Sequence, residues 1–340
     1  MFRFIVRRLL WAVFLFICVT IVTFVIFYVI PANPAALVAG KSATKEDIER
    51  AERFLGTDRP VYIQYLRFLN RLSPVGRIEK SGSPGEYEGW GVKSPSLGTS
   101  FATRQDVNDV VGRAAPVTAS LVLGGAILWM LVSLPIGVFS ALRPRSLLDR
   151  GSTIFVLIGI SAHPVWIGLI LSYFLGYKLS LFPITGYCDL INPDTDCGGP
   201  AQWAWHLVLP WMTFAFLFSA QYVRMIRANT LETLNEDYVR TARAKGAAES
   251  RVLRSHVLRN SLLIVVTMLG MDIGLALGGA IFTETVFGLP GLGKVAIESI
   301  FTFDLPVTVG VVVFATLSII VFNLVVDLVY ALIDPRIRLS

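Results

Sequence analysis

The sequence predicts an all-α integral membrane protein with six transmembrane helices. Of its 340 residues, 54% are hydrophobic and only 16% are charged, whereas a soluble domain carries about 25% charged residues. The mean hydropathy is +0.64. Six apolar runs are each long enough for a membrane span of about 20 residues; they occupy 9–30, 116–141, 152–176, 203–223, 261–283 and 306–332.

The first apolar run, 9–30, follows three arginines at positions 3, 7 and 8. A cleaved signal peptide has an apolar region of roughly 7–15 residues, and this run is longer. We therefore expect 1–30 to form an N-terminal tail and a retained first helix that enters the membrane from the cytoplasm.

Residues 31–114 are more polar and rich in Pro and Gly, which is typical of an extracytoplasmic segment. We predict that it is inserted between the first and second transmembrane helices. Within it, 44–55 and 60–72 have helical patterns, and SGSPGEYEGWG is predicted to be a loop. A single transmembrane domain, 115–334, and a cytoplasmic tail, 335–340, complete the predicted organisation.

The distribution of Lys and Arg predicts the orientation. With the N-terminus inside, sixteen basic residues lie in the inner segments and only Lys178 and Lys294 lie in the short outer connections. The other twelve lie in the long first outer segment, and long segments are largely exempt from the positive-inside rule. We therefore expect both termini in the cytoplasm and do not interpret the net charge of +6 as nucleic-acid binding.

The longest inner connection, 224–260, holds eight of these basic residues. Asn235 is predicted to cap a short helix, because the acidic Glu236 and Asp237 follow it and the helix dipole favours negative charge in the first turn. Gly246 suits the end of that helix. The pattern predicts a short helix, a glycine corner and a second basic helix, which together could receive another protein.

This segment resembles the cytoplasmic coupling loop of ABC-importer permeases. The general pattern there is Glu-Ala-Ala, three residues, then Gly, and Arg240 stands here in place of its Glu. The dipeptide and oligopeptide branch typically reads E-D-Y-x-R-T-A-R-A-K-G, and residues 236–246 match that string. Other similar stretches are IPANPA, LGTDRPVYIQYLRFL, SLGTS, LPIGVFSALRPRSLLDR, FPITGY, ETVFGLPGLG and VFNLVVDLVYALIDPRIRL.

The resemblance implies the membrane-spanning permease subunit of a type I ABC importer for di- or oligopeptides, in a bacterial or archaeal cytoplasmic membrane. Its implied partners are a homologous second permease, two cytoplasmic ATPase subunits and an extracytoplasmic substrate-binding protein. Such a subunit is not itself an enzyme and binds no cofactor, because ATP and Mg²⁺ belong to the ATPase subunits. Related permeases carry nickel, glutathione or sugars, so the substrate stays open. The implied coupling residues are Glu236, Asp237, Tyr238, Arg240, Thr241, Ala242, Arg243, Ala244, Lys245 and Gly246.

Residues 288–295 nearly match the phosphate-binding pattern G-x-x-x-x-G-K-[ST]. We reject a nucleotide site there, because Val295 replaces the hydroxyl residue that binds Mg²⁺ and the stretch follows a membrane span rather than a strand. In the resemblance, this stretch forms a tight re-entrant turn.

Asp272 and His163 are the two polar residues within predicted spans that invite a functional interpretation. Asp272 either lines a cavity on the transport path, where it would meet a peptide amino group, or makes a hydrogen bond between helices. His163 precedes Pro164, which predicts a kink, and we expect it to pack or face a cavity rather than bind metal.

The three cysteines support few sites. Cys18 lies in an apolar run, whereas Cys188 and Cys197 flank a polar outer loop. Two cysteines without a nearby His are too few for a metal site, and an oxidising compartment would allow a disulfide between them.

Two other classes of membrane protein remain as alternatives. A stand-alone secondary transporter or channel would need paired repeats or broken helices near the midplane, and the sequence shows no convincing internal symmetry. A membrane enzyme would need a readable catalytic arrangement, which the sequence lacks.

Overall fold

The computed structural model describes residues 2–29, 44–46, 49, 60–79, 87–190 and 197–333. Most of the predicted helix 44–55 lies outside these ranges. The helices are α1 (Phe2–Phe24, continued as a π-helix over Val25–Val29), α2 (Val61–Leu72), α3 (Val107–Leu142), α4 (Leu147–Ser161), α5 (Pro164–Lys178), α6 (Pro200–Leu234), α7 (Asp237–Ala244), α8 (Glu249–Ala276), α9 (Ile281–Phe287), α10 (Leu292–Phe301) and α11 (Leu305–Ile333), and the strands are β1 (Val75–Glu79) and β2 (Tyr87–Val92).

Among the described residues, five helical stretches are long and apolar enough to cross a membrane. The pair formed by α4 and α5 passes the same test, and counting it as one span gives the predicted six. The five single stretches are Val6–Phe27, α3, α6, α8 and Leu305–Val329 of α11.

The third predicted span differs from expectation. The sequence predicted one helix over 152–176 with a kink at Pro164, but α4 and α5 are separate helices that meet at 108°. Ala162 and His163 between them are extended, with ψ angles of 135° and 140°. The single kinked helix was therefore wrong, because Pro164 offers no N–H to continue α4 and disfavours helical geometry in the residue before it.

The chain divides into two compact units, and the first comprises residues 1–115 and 294–317. In this unit, Phe24 of α1 packs edge-on against Tyr65 of α2, with ring centroids 5.4 Å apart. The predicted amphipathic helix 60–72 is confirmed as α2. Strands β1 and β2 pair antiparallel, so the loop prediction for SGSPGEYEGWG was wrong over residues 87–91.

Asp304 organises the loop before α3 within the same unit. It is 3% exposed, and its carboxylate accepts the backbone N–H of Phe101 at 3.0 Å and that of Ala102 at 3.3 Å. The hydroxyl of Ser100 also donates to it. A buried carboxylate needs such donors to offset its desolvation, so these three bonds fix the loop in one conformation.

The second unit comprises residues 116–293 and 318–340. Its core centres on Trp129 of α3, which is fully buried and stacks on Phe218 of α6 with centroids 4.6 Å apart. Tyr222 of the same helix is also fully buried beside this tryptophan.

Two glycines bring α8 and α11 into close contact. A Cβ at Gly270 would overlap Val326, and one at Gly274 would lie 3.1 Å from the Cα of Ile319. These small residues of α8 therefore pack against the last helix, as glycine faces commonly do between membrane helices.

Candidate functional site

The implied coupling residues lie on one short helix and its ends. α7 spans Asp237–Ala244, Glu236 is its N-cap residue, and Gly246 follows the helix with φ of 78°. An L-residue with a side chain adopts this left-handed conformation only at a cost, so the glycine suits the corner at which the chain turns toward α8.

The predicted N-cap residue was wrong. Asn235 instead closes α6: its side-chain amide donates to the carbonyl of Leu231 at 2.9 Å, and its backbone N–H donates to Glu232 at 3.1 Å. Because Asn235 remains tied to the preceding helix, α7 begins one position later, and the side chain of Glu236 makes no capping hydrogen bond.

The inner face of α7 is anchored in a small apolar core. Val239 is fully buried against Val252 and Val257, which lie in the first turns of α8. Ala242 also packs against this cluster. Burial of such side chains, at roughly 25 cal/mol per Å² of apolar surface, holds the short helix to its neighbour.

The outer face of α7 is exposed to solvent and mostly charged. Two hydrogen bonds join α7 to α8: Arg243 donates to Glu249 at 2.7 Å, and Asn260 donates to the hydroxyl of Tyr238 at 2.7 Å. The exposed residues of the segment are Glu236, Asp237, Tyr238, Arg240, Thr241, Arg243, Ala244, Lys245 and Gly246. The result is a firmly held helix that presents a polar surface.

The segment after α8 consists of α9, a turn and α10, and we call it the hairpin. The sequence predicted a continuous span over 261–283, but α8 ends at Ala276 and α9 begins at Ile281. Gly279 lies between them with φ of 135°, and Gly288 ends α9 with φ of 66°. These left-handed glycines interrupt the helix, so the predicted span is confirmed as far as Ala276 and its predicted end at 283 was wrong.

The hairpin is fixed by a polar cluster that our sequence reasoning missed. Glu284 of α9 is fully buried and accepts the hydroxyl of Thr118 at 2.8 Å and the N–H of Ala280 at 3.2 Å. The Thr118 oxygen in turn accepts the N–H of Leu292 at 2.8 Å. An acidic residue inside an apolar stretch was the available signal, but its partner lies 166 positions away in the chain.

The stretch that resembles a phosphate-binding loop lies within this hairpin. Gly288 ends α9, Leu292 begins α10, and a Cβ at Gly291 would overlap the Glu284 carboxyl group. The backbone N–H of Leu292 is already used by Thr118. A buried carboxylate beside the loop also disfavours an anion there, because like charges repel.

Asp272 lies in the interior of α8, half-buried, and accepts the hydroxyl of Tyr222 at 2.7 Å. This bond joins α8 to α6, as the helix–helix interpretation of Asp272 expected. It engages one oxygen of the carboxylate, Oδ2.

His163 lies at the break between α4 and α5. Its Nδ1 accepts the N–H of Val165 at 3.3 Å, so the side chain caps α5. The exposed ring meets Phe282 of α9 edge-on, with centroids 4.9 Å apart. His163 therefore shapes the bend, and the structure does not bring it together with Asp272.

The structure joins Cys188 and Cys197 in a disulfide. It also brings His206 of α6 to Cys188, with Nδ1 3.3 Å from the sulfur. The three possible ligand atoms lie within 4.8 Å of one another, a proximity that the sequence did not reveal. Because metal binding requires thiolates, the disulfide removes both sulfurs as ligands.

Comparisons with known proteins cover the whole chain. Residues 133–339 match the family described as "Binding-protein-dependent transport system inner membrane component", and residues 1–122 match the corresponding N-terminal family. The chain is 35% identical to the oligopeptide transport system permease protein AppB of Bacillus subtilis, over 99% of this chain and 100% of that protein. It is 33% identical to the dipeptide transport system permease protein DppB of Escherichia coli K12, over 99% of both chains.

A solved structure shares the fold. A chain of the MetNI methionine ABC transporter, in an inward-facing conformation, aligns with a TM-score of 0.51 at 17% identity. The alignment covers 66% of this chain and 96% of that one.

Proposed function

Because the chain belongs to the family of binding-protein-dependent transport system inner membrane components, we propose that it moves di- or oligopeptides into the cell by alternating access. In this proposal it is the permease subunit of an ATP-driven importer. It forms the transport path together with a second, homologous permease.

The observation that carries this proposal is the construction of α7. The helix has one buried face, anchored by Val239, and one exposed polar face. A partner that docks on the exposed face can therefore move α7 and the adjoining helices together. We propose that two cytoplasmic ATPase subunits dock on this helix and on its counterpart in the second permease.

The remaining partners follow from this arrangement. A substrate-binding protein delivers the peptide from outside, and hydrolysis of Mg-bound ATP occurs on the ATPase subunits rather than on this chain. The protein lies in a bacterial or archaeal cytoplasmic membrane, with both termini inside, as the distribution of Lys and Arg indicates.

Asp272 is the residue that we propose to meet the substrate. A carboxylate at bilayer depth is costly and usually faces the interior of a helix bundle. Tyr222 holds one of its oxygens at 2.7 Å, which orients the other toward a positively charged peptide amino group.

The rival function is a stand-alone secondary transporter. The break between α4 and α5 and the one between α8 and α9 are the features that favour it, because broken helices form the substrate sites of such transporters. A requirement for ATP and for a second permease separates the two functions.

The test uses Gly246, where a Cβ would meet nothing within 4 Å. Gly246→Trp places a large side chain on the docking surface, whereas Gly246→Asn is the matched control, since Asn tolerates φ above zero. We expect Gly246→Trp to reduce ATP-dependent peptide uptake by cells about tenfold or more, as one misplaced contact can. We expect Gly246→Asn to retain most uptake.

Mass spectrometry of the tagged complex gives the second readout. We expect a second permease and ATPase subunits with the wild-type chain, and fewer ATPase subunits with Gly246→Trp. Normal uptake by Gly246→Trp would contradict the docking assignment, and a single-chain species that transports without ATP would establish the rival.

A further inference from the structure

A partly buried ion pair joins α4 to α6 near the start of the coupling segment. Arg227 Nε lies 2.5 Å from Asp149 Oδ1, and its Nη2 lies 3.0 Å from Oδ2. The side chain of Asp149 is 8% exposed and that of Arg227 is 33% exposed. Two parallel bonds of this kind fix the orientation of the partners as well as their separation.

The carboxylate is also tied to the connection before α4. The backbone N–H of Arg145 donates to Asp149 Oδ2 at 2.8 Å, and Arg145 has a left-handed φ of 64°. Ser146 caps the helix by accepting the N–H of Asp149 at 3.3 Å. A strained residue persists where its surroundings hold it, so one carboxylate locks both the connection and the first turn of α4.

The ion pair ends a contact that runs along both helices. A Cβ at Gly159 of α4 would overlap Ala220 of α6. Phe155 of α4 also meets Phe216 of α6 edge-on, with centroids 5.3 Å apart. The buried face of α4, which is Asp149, Ser152, Val156 and Gly159, repeats at helical spacing, so α4 packs against α6 over most of its length.

Arg227 is close to the proposed docking helix. It lies seven positions before Leu234, the last residue of α6, and seven residues of α-helix span about 10 Å. Asp237, the first residue of α7, follows after two residues. A displacement of α7 therefore reaches Arg227 through two helical turns.

We propose that Asp149 and Arg227 are positioning residues that carry the displacement of α7 from α6 into α4, and so into the bent pair of helices. This role rests on the proposed function, since it requires ATPase subunits that move α7. The pair touches neither substrate nor nucleotide. It acts by making α4 and α6 move as one body.

The test exploits the difference between two basic side chains. Arg227→Lys keeps the positive charge but loses the two-pronged contact, because lysine presents a single ammonium group. Arg224→Lys is the matched control, since Arg224 is exposed on the same helix one turn earlier. Both variants are measured in the reconstituted complex with the second permease, the ATPase subunits and the binding protein.

We expect Arg227→Lys to keep its ATPase subunits and hydrolyse ATP within about twofold of wild type, while peptide uptake per ATP falls about tenfold, the scale of one lost charge-assisted hydrogen bond. Arg224→Lys should match wild type in both respects.

A distance measurement tests the mechanical role directly. Spin labels at the exposed positions Arg150→Cys on α4 and Glu232→Cys on α6, in a Cys18→Ser background, should keep one separation with and without ATP. In Arg227→Lys, we expect that separation to change or broaden between the two states.

Three results would overturn the positioning role. Arg227→Lys could couple as well as wild type, its label distances could stay as constant as in wild type, or it could lose uptake only because the ATPase subunits dissociate. If the wild-type chain copurifies with no ATPase subunit, the proposed function is wrong as well. This result is distinct from the other three, because it is obtained on the wild-type chain before any variant is compared.

Discussion

At the scale of single residues, Asp272 has two separable properties, its charge and its hydrogen bond to Tyr222. Asp272→Asn keeps an oxygen that can accept the tyrosine hydroxyl but removes the charge. If the carboxylate receives a peptide ammonium group, we expect uptake of peptides with a free N-terminus to fall about tenfold, the loss expected for a charge-assisted contact. Uptake assays with radiolabelled peptide measure this.

Two controls distinguish substrate contact from helix packing. N-acetylated peptides, if they are transported, should be carried equally by wild type and Asp272→Asn. Tyr222→Phe removes the hydrogen bond and keeps the charge, so it should affect both kinds of peptide alike. An equal loss in Asp272→Asn and Tyr222→Phe for every peptide would assign the residue to packing alone.

The residues that sequence reasoning found and missed differ in one respect. The short helix before Gly246 was predicted because its pattern is local along the chain, and it is confirmed as α7. Glu284 was missed because its partners Thr118 and Ala280 become apparent only when α3 and α9 meet. Arg227 was counted only as a basic residue, since nothing local to it indicates Asp149.

At the scale of elements, the hairpin of α9 and α10 depends on the close approach of Gly293 to the backbone of Ile281. A Cβ at Gly293 would lie 2.8 Å from both the Cα and the backbone nitrogen of Ile281. Backbone atoms cannot move aside as a flexible side chain can. We expect Gly293→Ala to destabilise the protein by about 1–3 kcal/mol, the usual cost of overpacking, and to lower the midpoint of thermal unfolding in detergent.

Gly112→Ala is the matched control for that substitution. Gly112 lies in α3, and a Cβ there meets nothing within 4 Å. Because alanine is favoured over glycine in a helix by about 1 kcal/mol, this variant should be as stable as wild type or more so. Equal midpoints for Gly293→Ala and wild type would show that the hairpin is not closely packed at this point.

Helix ends were harder to predict than helices. Apolar runs indicated where spans lie, but hydropathy does not register a break made by His163 and Pro164 or by Gly279. These breaks depend on backbone geometry and capping, which operate within one or two residues. The strand pair was missed because the run over 87–91 holds two glycines, which are rare in strands, and because its pairing with β1 depends on the turn between them.

At the scale of the whole molecule, the proposed orientation places Ser180 outside and Ser250 inside. Both positions are exposed. In a Cys18→Ser background, we expect a membrane-impermeant maleimide to label Ser180→Cys in intact cells, because a hydrophilic reagent does not cross the hydrocarbon core. Ser250→Cys should be labelled only after the cells are permeabilised.

The opposite labelling pattern would invert the topology and place α7 where no ATPase subunit could reach it. Labelling of both positions in intact cells would show that the reagent had entered. The Cys18→Ser chain without a new cysteine, in which Cys188 and Cys197 form a disulfide, measures the background reaction.

The bonds to Asp304 also set the order in which the protein can be completed. The loop that it holds lies 204 positions earlier in the chain, and ribosomes add about 5–20 residues per second. The loop therefore leaves the ribosome roughly 10–40 s before its carboxylate partner exists. During biosynthesis, the first unit cannot form these bonds until residues 116–293 of the second unit have been synthesised. Its N-terminal and C-terminal parts therefore complete their folding at the same time.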